Sequence, residues 1–480
     1  MADRLILFWH RRDLRMTDNV GLTNARKMSP KVVGVFCLDP NILERDDVAP
    51  VRIAYALGTL QELQENYALM GSQLLILHGE PAQSIPALAA AMSAKAVYWN
   101  SDVEPYSRQR DKNLEAALTE KGIEVKSFWD QLLQAPGTTI TGTGKPYTVY
   151  TPFWKNWSRK NKSEPEEDIA PLVGLSPDEL DVATQAGALD RIPTEKDLGF
   201  IWNGSLIVEP GEKAALAQLE NFCKDKIAAY DKQRDYPDIS GTSQLSAAIK
   251  FGAIGIRTVW SVLTDTLNEC RSDEARLSIR TWQQELAWRE FYQHIMYYFP
   301  ELANGPYRKP WKDFPWENNL EKFQAWCEGR TGYPIIDAAM RQLNETGWMH
   351  NRCRMIVASF LTKDLIINWQ WGEKYFMQKL IDGDLSANNG GWQWTASSGM
   401  DPKPIRIFNP ASQAKKFDPD AEYIRRWLPE LTGVDTKSLI TGKISTEERE
   451  AADYPEPIVD HQQQQRKFKE LYAQQKALHQ

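Results

Sequence analysis

The stretch VVGVFCLDPNILERDDVAPVRIAYALGTLQELQENYALMGSQLLIL, residues 32–77, decides the fold of the first part of this 480-residue chain. It begins with a strand-length apolar run, continues through a helix-period segment over 51–70 and ends in a second apolar run. Strand-length runs that alternate with helical segments indicate βαβ units and a parallel sheet. Similar runs lie at Leu5–Trp9, Ala96–Trp99 and Ile123–Phe128, so we expect a Rossmann-like α/β domain with five parallel strands.

The periodicity changes further along the chain. From about Leu132 to residue 205 the sequence is rich in Gly, Thr, Pro and acidic residues and has little periodicity, which is typical of a long linker. Beyond this segment nearly every stretch has the 3.6-residue period of a helix. We therefore predict an α/β domain over 1–131, an interdomain linker over 132–205 and an all-α domain over 206–480.

Composition bounds the class of protein. A hydrophobic content of 42% and a charged content of 25% are ordinary for a soluble globular chain. The net charge of -7 gives no global basic field, although a local patch can still contact nucleic acid. The five cysteines form no CxxC and no zinc-like spacing, which favours free thiols in a reducing cytoplasm and predicts no metal site. No apolar run approaches the length of a membrane span.

The stretch Asp382–Pro410, DGDLSANNGGWQWTASSGMDPKPIRIFNP, is the most informative about function. Its Gly and Asn content predicts a loop, yet it carries Trp392 and Trp394 close to Asp382 and Asp384. Loops normally lack large aromatics, because burying a loop leaves backbone polar groups unpaired. With 18 Trp in the chain, we interpret this stretch as wrapping a flat polar group. The sequence therefore predicts a protein that houses an aromatic cofactor.

A helical segment over 273–298 places chemistry-bearing side chains on one face. Glu285, Trp288 and Arg289 recur at spacings of three and four residues, so they are neighbours on the helix surface. A carboxyl group beside an indole can act as a general acid or hydrogen-bond donor in an apolar pocket. The same pattern also suits a solvated Glu285 that pairs with Arg289 above a core tryptophan.

Three shorter segments carry further signals. Asn351 and Met355 are one helical turn apart; an amide can pair with a pyrimidine edge and a thioether packs softly against it, although the methionine also suits a core position. Asp382 and Asp384 suit acceptors for ring N–H groups better than a metal site, and a solvated turn is the alternative. The small hydroxyl residues of 241–248 precede a helix, where they can bind phosphate or simply cap the helix.

Taken in order along the chain, these residues resemble the photolyase/cryptochrome family. The resemblance rests on LFWHRRDLRMTDN (7–19), GTSQLS (241–246), WQQELAWREFYQH (282–294), TGYPIIDAAMRQL (331–343), GWMHNRCRM (347–355) and DGDLSANNGGWQW (382–394). It implies an N-terminal α/β antenna domain and a helical C-terminal domain that binds FAD. Within the family, the chain looks most like the class I enzymes that repair cyclobutane pyrimidine dimers.

The resemblance implies an FAD site in the helical domain. Its residues would be Tyr230, Thr242, Ser243, Gln244, Leu245, Ser246, Arg354, Asp382, Asp384 and Asn388. Arg354 and Asp382 would form an ion pair beside the isoalloxazine ring, and Asn388 would lie near its N5 atom. Trp392, Trp369 and Trp316 match the family's tryptophan chain, which carries an electron inward; as residues alone they also suit an ordinary core.

The resemblance also implies a DNA substrate, with a thymine cyclobutane dimer flipped out of the duplex. Glu285 and Asn351 would hydrogen-bond the thymine edges, and Trp288, Met355 and Trp394 would line the pocket. The phosphate contacts would be Arg234, Arg289, Arg352, Gln413 and Lys416. In the family, light-driven electron transfer from reduced FAD to the dimer splits it.

An antenna chromophore is implied for the α/β domain. The matching positions are Cys37, Arg52, Asp102, Glu104, Arg110 and Lys250. They resemble members that bind 8-hydroxy-5-deazaflavin; methenyltetrahydrofolate is the alternative, but its Cys–Lys pattern is replaced here by residues 302–304. We expect a monomeric cytoplasmic enzyme that acts on UV-damaged DNA and not at a membrane.

Two other functions fit the same residues less well. A blue-light-sensing cryptochrome without repair activity would keep FAD, but plant-type members usually carry Asp at the position of Asn388 and add a long tail. A flavoprotein with another redox role is the third interpretation. The pair Glu285 and Asn351 favours the repair enzyme.

Overall fold

The computed structural model describes residues 4–400 and 405–479. Contacts divide the chain into two compact units. Unit 1 comprises Met1–Tyr147, Thr151–Ala228 and Ser243–Pro300; unit 2 comprises Thr148–Tyr150, Ala229–Thr242 and Glu301–Gln480. This division follows contacts and not the function of each part, so the ranges 1–131, 132–205 and 206–480 stay a prediction.

In the described chain, strands and helices alternate up to residue 128, and from there to residue 298 the elements are helices apart from one two-residue strand. In order, these elements are β1 (Ile6–His10), α1 (Val20–Met28), β2 (Val32–Leu38), α2 (Pro40–Leu43), α3 (Pro50–Leu69), β3 (Leu74–His78), α4 (Pro81–Ala91), β4 (Ala96–Asn100), α5 (Pro105–Glu120), β5 (Glu124–Phe128), α6 (Tyr150–Trp157), α7 (Pro177–Gln185), β6 (Ala188–Leu189), α8 (Glu212–Asn221), α9 (Tyr230–Gln233), α10 (Ser246–Phe251), α11 (Ile256–Glu269) and α12 (Asp273–Tyr298). The alternation predicted for the N-terminal part is therefore confirmed.

The described residues after position 300 form helices. These are α13 (Leu320–Glu328), α14 (Pro334–Thr346), α15 (Asn351–Ser359), α16 (Trp369–Lys379), α17 (Leu385–Ala396), α18 (Pro410–Phe417), α19 (Glu422–Trp427), α20 (Thr436–Thr441), α21 (Thr446–Ala451) and α22 (His461–Leu478). Two π-helical segments, Phe222–Lys226 and Phe360–Asp364, follow directly after α8 and α15. The all-α character of this part is confirmed.

The sheet of unit 1 has the strand order β5-β4-β1-β2-β3-β6. The first five strands pair in parallel, as predicted, with Ile6 opposite both Val32 and Ala96. Along β1 the side chains alternate between two buried clusters: Leu7 and Trp9 lie in one, and Ile6 and Phe8 in the other. This period of two is why a strand buried on both faces appears in the sequence as a continuous apolar run.

Two sequence expectations are corrected. The range 132–205 is not free of regular structure: it holds α6, α7 and β6, and β6 adds a sixth, antiparallel strand beside β3. A capping box starts α7, because the Ser176 side chain accepts from the Glu179 N–H while Glu179 bonds back to the Ser176 N–H. The prediction of a loop over 382–410 is also wrong for Leu385–Ala396, which is helix α17; residues 401–404 of this stretch lie outside the described residues.

Four buried charges hold distant parts of unit 1 together. Arg15 donates to Asp130 at 2.7 Å, and Arg257 at the start of α11 donates to Asp18 at 2.7 Å and to Asp130 at 2.6 Å. All four side chains are at most 4% exposed. Removing one partner of such a group leaves a buried charge uncompensated, which typically costs about 3–5 kcal/mol. The opening motif of residues 7–19 thus has a structural task in this unit.

Candidate functional site

The antenna candidates of unit 1 lie near the carboxyl ends of its parallel strands, where α/β sheets commonly bind ligands. Arg12, just after β1, links three of them. Its Nε donates to the Lys250 carbonyl at 3.2 Å, and one of its terminal nitrogens lies 2.9 Å from Glu104 and 3.6 Å from Asp102. Lys250, Glu104 and Asp102 are therefore brought together although they are far apart in sequence. Arg12 itself was not predicted.

Cys37 and Arg110 share a second part of this edge. The Cys37 thiol bonds to the Gly79 carbonyl at 3.1 Å, and Arg110 lies 3.8 Å from Asp39. The Arg110 guanidinium also lies 4.6 Å from the Trp9 ring centroid. Burial raises the pKa of the Cys37 thiol to about 12, so the group is a neutral donor.

Burial and nearby guanidinium groups together set the pKa values of these residues. Burial alone would raise the pKa of Asp102, but the guanidinium groups of Arg12 and Arg11 outweigh it and hold that pKa well below its usual range. Burial lowers the pKa of Arg110, and the charge of Arg11 acts in the same direction. Arg52 donates to the Asp47 carbonyl at 2.8 Å.

In unit 2, Arg354 and Asp382 form the predicted ion pair. Arg354 donates to one Asp382 carboxylate oxygen at 2.8 Å, and its Nε donates to the Met349 carbonyl at 2.8 Å. The other oxygen of Asp382, Oδ1, is buried and has no hydrogen-bond partner among the described residues. A buried carboxylate oxygen requires a donor. The N–H group of a heteroaromatic ring would supply one, so these residues fit a bound flavin.

Asp384 and Asn388 have defined local tasks at the start of α17. Asp384 is the N-cap, and its side chain accepts from the Ala387 N–H at 2.8 Å. The Asn388 amide donates to the Glu373 carbonyl at 2.9 Å. Asn389, which the sequence analysis did not select, donates to Glu373 and to the Leu302 carbonyl, both at 2.9 Å. These contacts fix the helix start that follows Asp382.

The predicted phosphate-binding turn is divided between the two units. In unit 2, Tyr230 is buried, the Arg234 guanidinium lies 5.2 Å from its ring centroid, and Thr242 is half-buried. In unit 1, the Ser243 carbonyl accepts from Gln218 at 2.6 Å. Gln244 has a φ of 53°, which a helix excludes, so α10 begins at exposed Ser246 after buried Leu245.

The substrate candidates of unit 1 lie on α12, whose predicted bounds are confirmed. Glu285, Trp288 and Arg289 are all half-buried. The Trp288 ring lies 5.6 Å from that of Tyr292, and Arg289 donates to the Gln131 carbonyl at 2.9 Å. Arg289 therefore has an intramolecular partner as well as its predicted contact with DNA.

In unit 2, α15 begins at Asn351, which is exposed, with half-buried Met355 one turn later. His350 precedes them and was not among the residues selected from the sequence. Its Nδ1 caps α15 by accepting from the Arg352 N–H at 3.1 Å, which puts the proton of the neutral ring on Nε2. Burial lowers the pKa of His350 to about 4. The motif HN thus combines a buried cap with an exposed amide.

The other unit 2 candidates differ in burial. Trp369 and Trp392 lie in one buried cluster, and Trp316 packs against it. Trp394 is half-buried with the Arg406 guanidinium 5.1 Å from its ring centroid. On α18, Gln413 is half-buried and Lys416 is exposed. Among the described residues, no group of three or more His, Cys, Asp or Glu could hold a metal ion.

Comparison with known proteins gives the family. Residues 6–171 match the family described as DNA photolyase, and residues 282–474 match the FAD binding domain of DNA photolyase. A deoxyribodipyrimidine photo-lyase of Synechococcus sp. is 60% identical over 98% of this chain and 97% of that protein. The chain belongs to the DNA photolyase family.

Solved structures agree with this assignment. A bacterial class III photolyase from Agrobacterium tumefaciens has a TM-score of 0.90 and 32% identity, covering 99% of this chain and 98% of that one. A cryptochrome from Synechocystis sp. has a TM-score of 0.88 and 29% identity, covering 98% and 99%. The predicted fold class is confirmed, and so is the prediction of a photolyase-type flavoenzyme with an FAD-binding domain. In the part of the chain that is described, no helix has the length and apolar character of a membrane span.

Proposed function

We propose that this protein repairs cyclobutane pyrimidine dimers in UV-damaged DNA in a light-driven reaction with FAD. The observation that carries the proposal is the buried Asp382 carboxylate, which Arg354 pairs at one oxygen and which lacks a partner at the other among the described residues. This arrangement suits the polar edge of a flavin. The name of the 60% identical Synechococcus relative supports the choice of substrate.

The protein's own residues would bind and orient the dimer. Asn351 is exposed at the start of α15 and offers both a donor and an acceptor to a thymine edge, while Met355 packs one turn later. Glu285 would donate to or accept from the second thymine, and Trp288 and Trp394 would exclude water from the base faces. Flipping the damaged base costs less than flipping a paired one, which favours damaged sites.

The flavin, when bound in its reduced form and excited by light, would supply the electron that splits the dimer and would regain it afterwards. Arg354 and Asp382 would orient the ring and balance its charge. Asp384 and Asn388 would hold its edge, and Tyr230 with the turn over 242–246 would bind its ribityl and phosphate groups. Trp392, Trp369 and Trp316 would relay electrons during photoreduction; their membership in or packing against one buried cluster supports this role.

We also propose an antenna chromophore at the carboxyl edge of the sheet in unit 1. The convergence of Lys250, Glu104 and Asp102 on Arg12 supports a polar ligand there. Cys37 and Arg110 would contribute a neutral thiol and a guanidinium, and Arg52 would approach from α3. We favour 8-hydroxy-5-deazaflavin over methenyltetrahydrofolate, and we infer a monomer that acts in the cytoplasm.

A repair assay tests the main proposal. The purified protein is reduced and illuminated with an oligonucleotide that carries one thymine cyclobutane dimer. We expect dimer loss that requires both light and reduced flavin, and an additional absorption band if deazaflavin is present. Photoreduction without dimer loss would reject the repair function in favour of a blue-light sensor.

The substrate pocket is tested by Asn351→Asp. The substitution replaces the amide donor with a charged carboxylate oxygen. We therefore expect dimer binding to weaken by about tenfold, the scale of one lost hydrogen bond to the substrate. Asn319→Asp is the matched control, since Asn319 is likewise exposed and, as the N-cap of α13, tolerates Asp. Equal repair rates and dimer affinities in both variants would reject the role of Asn351.

A further inference from the structure

Arg352, one of the predicted phosphate contacts, already holds an anion within unit 2. Its Nη2 donates to the Asp235 Oδ1 at 2.6 Å. The Arg352 side chain is 18% exposed and that of Asp235 35% exposed, so solvent and a ligand can both reach the pair. A carboxylate presents two oxygens to a guanidinium much as a phosphate does.

The pair is fixed in place by its surroundings. The Arg352 guanidinium lies 4.3 Å from the Phe417 ring centroid, and its Nη1 lies 3.9 Å from the Met355 sulfur. Asp235 follows α9 in a turn in which the Tyr236 N–H donates to the Gln233 carbonyl at 3.0 Å. Tyr236 in turn contacts the Phe417 ring edge-on, with centroids 6.4 Å apart. The Arg352 guanidinium and Tyr236, the residue after Asp235, therefore pack against the same aromatic side chain.

The neighbourhood of the pair is rich in arginine. His350 lies within the electrostatic reach of Asp235 and of three guanidinium groups, those of Arg352, Arg354 and Arg234. The same segment carries a second acid, Asp238, which pairs with Arg426 at 2.5 Å. Two acidic residues of one short turn thus occupy two of the arginines of unit 2.

We propose that Asp235 is a built-in phosphate mimic that competes with DNA for Arg352. This inference rests on the proposed function, because it assumes that Arg352 contacts the DNA backbone. When DNA binds, the phosphate would replace the carboxylate on the guanidinium, and Asp235 would turn toward solvent. The exchange lowers the affinity for any DNA, since phosphate contacts carry no base information. It thereby limits capture by intact DNA, which is in large excess over damaged sites.

The alternative physical role of Asp235 makes the opposite prediction. A carboxylate that only orients Arg352 would strengthen DNA binding, because it holds the guanidinium ready for the phosphate. Neutralising Asp235 then weakens binding. The sign of the change therefore separates a competitor from a positioning residue.

The test measures binding in the dark to an undamaged duplex and to the same duplex with one thymine dimer, using the full chain with its flavin. For Asp235→Asn, which keeps the size of the side chain, we expect both affinities to rise about two- to fivefold, the range set by exposed ion pairs. The slope of log K against log salt should stay close to that of the parent protein, because Arg352 contacts one phosphate in both proteins once DNA is bound.

The matched control is Glu430→Gln. Glu430 pairs with Arg341 in unit 2 at 2.6 Å, with both side chains 25% exposed, so the variant changes the net charge equally and breaks a similar pair outside the predicted DNA contacts. The second variant is Arg352→Ala. In that background Asp235→Asn should raise the DNA affinity by no more than Glu430→Gln does, because the guanidinium for which Asp235 and phosphate compete is absent.

Weaker binding of Asp235→Asn, or a change no larger than that of Glu430→Gln, would overturn the inference. An equal gain in the Arg352→Ala background would overturn it as well. The proposed function fails on a different measurement: it requires dimer loss in the light. A chain that repairs dimers but shows no response to Asp235→Asn overturns only the phosphate mimic, whereas a chain that binds neither duplex overturns both.

Discussion

His350 illustrates, at the scale of one residue, how a helix start and a binding surface depend on each other. Its imidazole caps α15 from a buried position, and the next residue, Asn351, is exposed. The cap satisfies a backbone N–H that the helix cannot satisfy itself. The geometry of Asn351 and Arg354 therefore depends on a neutral imidazole beside them.

This dependence predicts a pH effect. Burial lowers the pKa of His350 to about 4, against about 6.5 in an unfolded chain. Between these values the unfolded chain binds more protons, so the free energy of unfolding falls as the pH is lowered from about 6.5 to 4. His350→Asn keeps a capping acceptor but does not titrate. Between pH 7 and pH 4.5, we expect the free energy of unfolding of this variant to fall by about 2 kcal/mol less than that of the parent protein.

Urea denaturation of both proteins at the two pH values measures this difference. His350→Ala is the control that removes the cap as well, and it should lower stability by about 1 kcal/mol at pH 7. The same pH dependence in His350→Asn and in the parent protein would show that another group is responsible.

Some of these residues could be found from the sequence and others could not. The Arg354–Asp382 ion pair could be predicted because both residues lie in long motifs that resemble the family. In the structure the two side chains are 2.8 Å apart. Asp235 and the cap at His350 did not emerge as partners. Their roles depend on which side chains meet Arg352 in space, and no periodicity or spacing encodes that contact.

At the scale of elements, the five parallel strands were predictable and α17 was not. Strand-length apolar runs between helical segments define β1 and its neighbours, whereas the Gly and Asn residues of 385–396 disfavour a helix by propensity alone. The helix forms because Asp384 caps it and Trp392 packs into the buried cluster. Tertiary contacts thus outweigh a weak local preference.

The packing of Trp392 predicts a contrast between two glycines. A Cβ at Gly372 on α16 would lie 2.1 Å from the Trp392 ring and 2.6 Å from Leu361, whereas a Cβ at Gly391 on α17 would meet nothing within 4 Å. We expect Gly372→Ala to lower the free energy of unfolding by about 1–3 kcal/mol, the range for overpacking. Gly391→Ala should raise it by about 0.5–1 kcal/mol through helix propensity.

Chemical denaturation of the two variants measures both effects, and Trp fluorescence reports whether the indole moves. If Gly372→Ala were as stable as Gly391→Ala, the close packing of α16 against Trp392 would be wrong.

At the scale of the whole molecule, the net charge of the protein opposes its proposed function. The chain carries a net charge of -7, yet the proposed substrate is a polyanion, so binding must rely on a local set of cations. Four cationic side chains are predicted to contact phosphate: Arg234, Arg289, Arg352 and Lys416. Screening by salt should weaken long-range repulsion and phosphate contacts together, but counterion release dominates the dependence.

We therefore expect log K for a duplex to fall with log salt at a slope of about -4, close to one unit for each cation. Fluorescence anisotropy between about 50 and 200 mM salt, with a Debye length of ~7–14 Å, covers the useful range. Lys416→Ala should reduce the slope by about one unit. Lys415→Ala, which removes the neighbouring exposed lysine of α18 that is not among the predicted contacts, serves as its control. A flat response would contradict binding through phosphates.

The buried charges of unit 1 also bear on how the chain is made. Asp130 pairs with Arg257, which lies 127 positions later in the sequence. At about 5–20 residues per second, a ribosome needs roughly 6–25 s to cover that distance. Until Arg257 is made, Arg15 is the guanidinium of this group that can pair with Asp130, and the Asp18 carboxylate stays hydrated. Co-translational folding of this protein should pause in an open intermediate that the arrival of α11 closes.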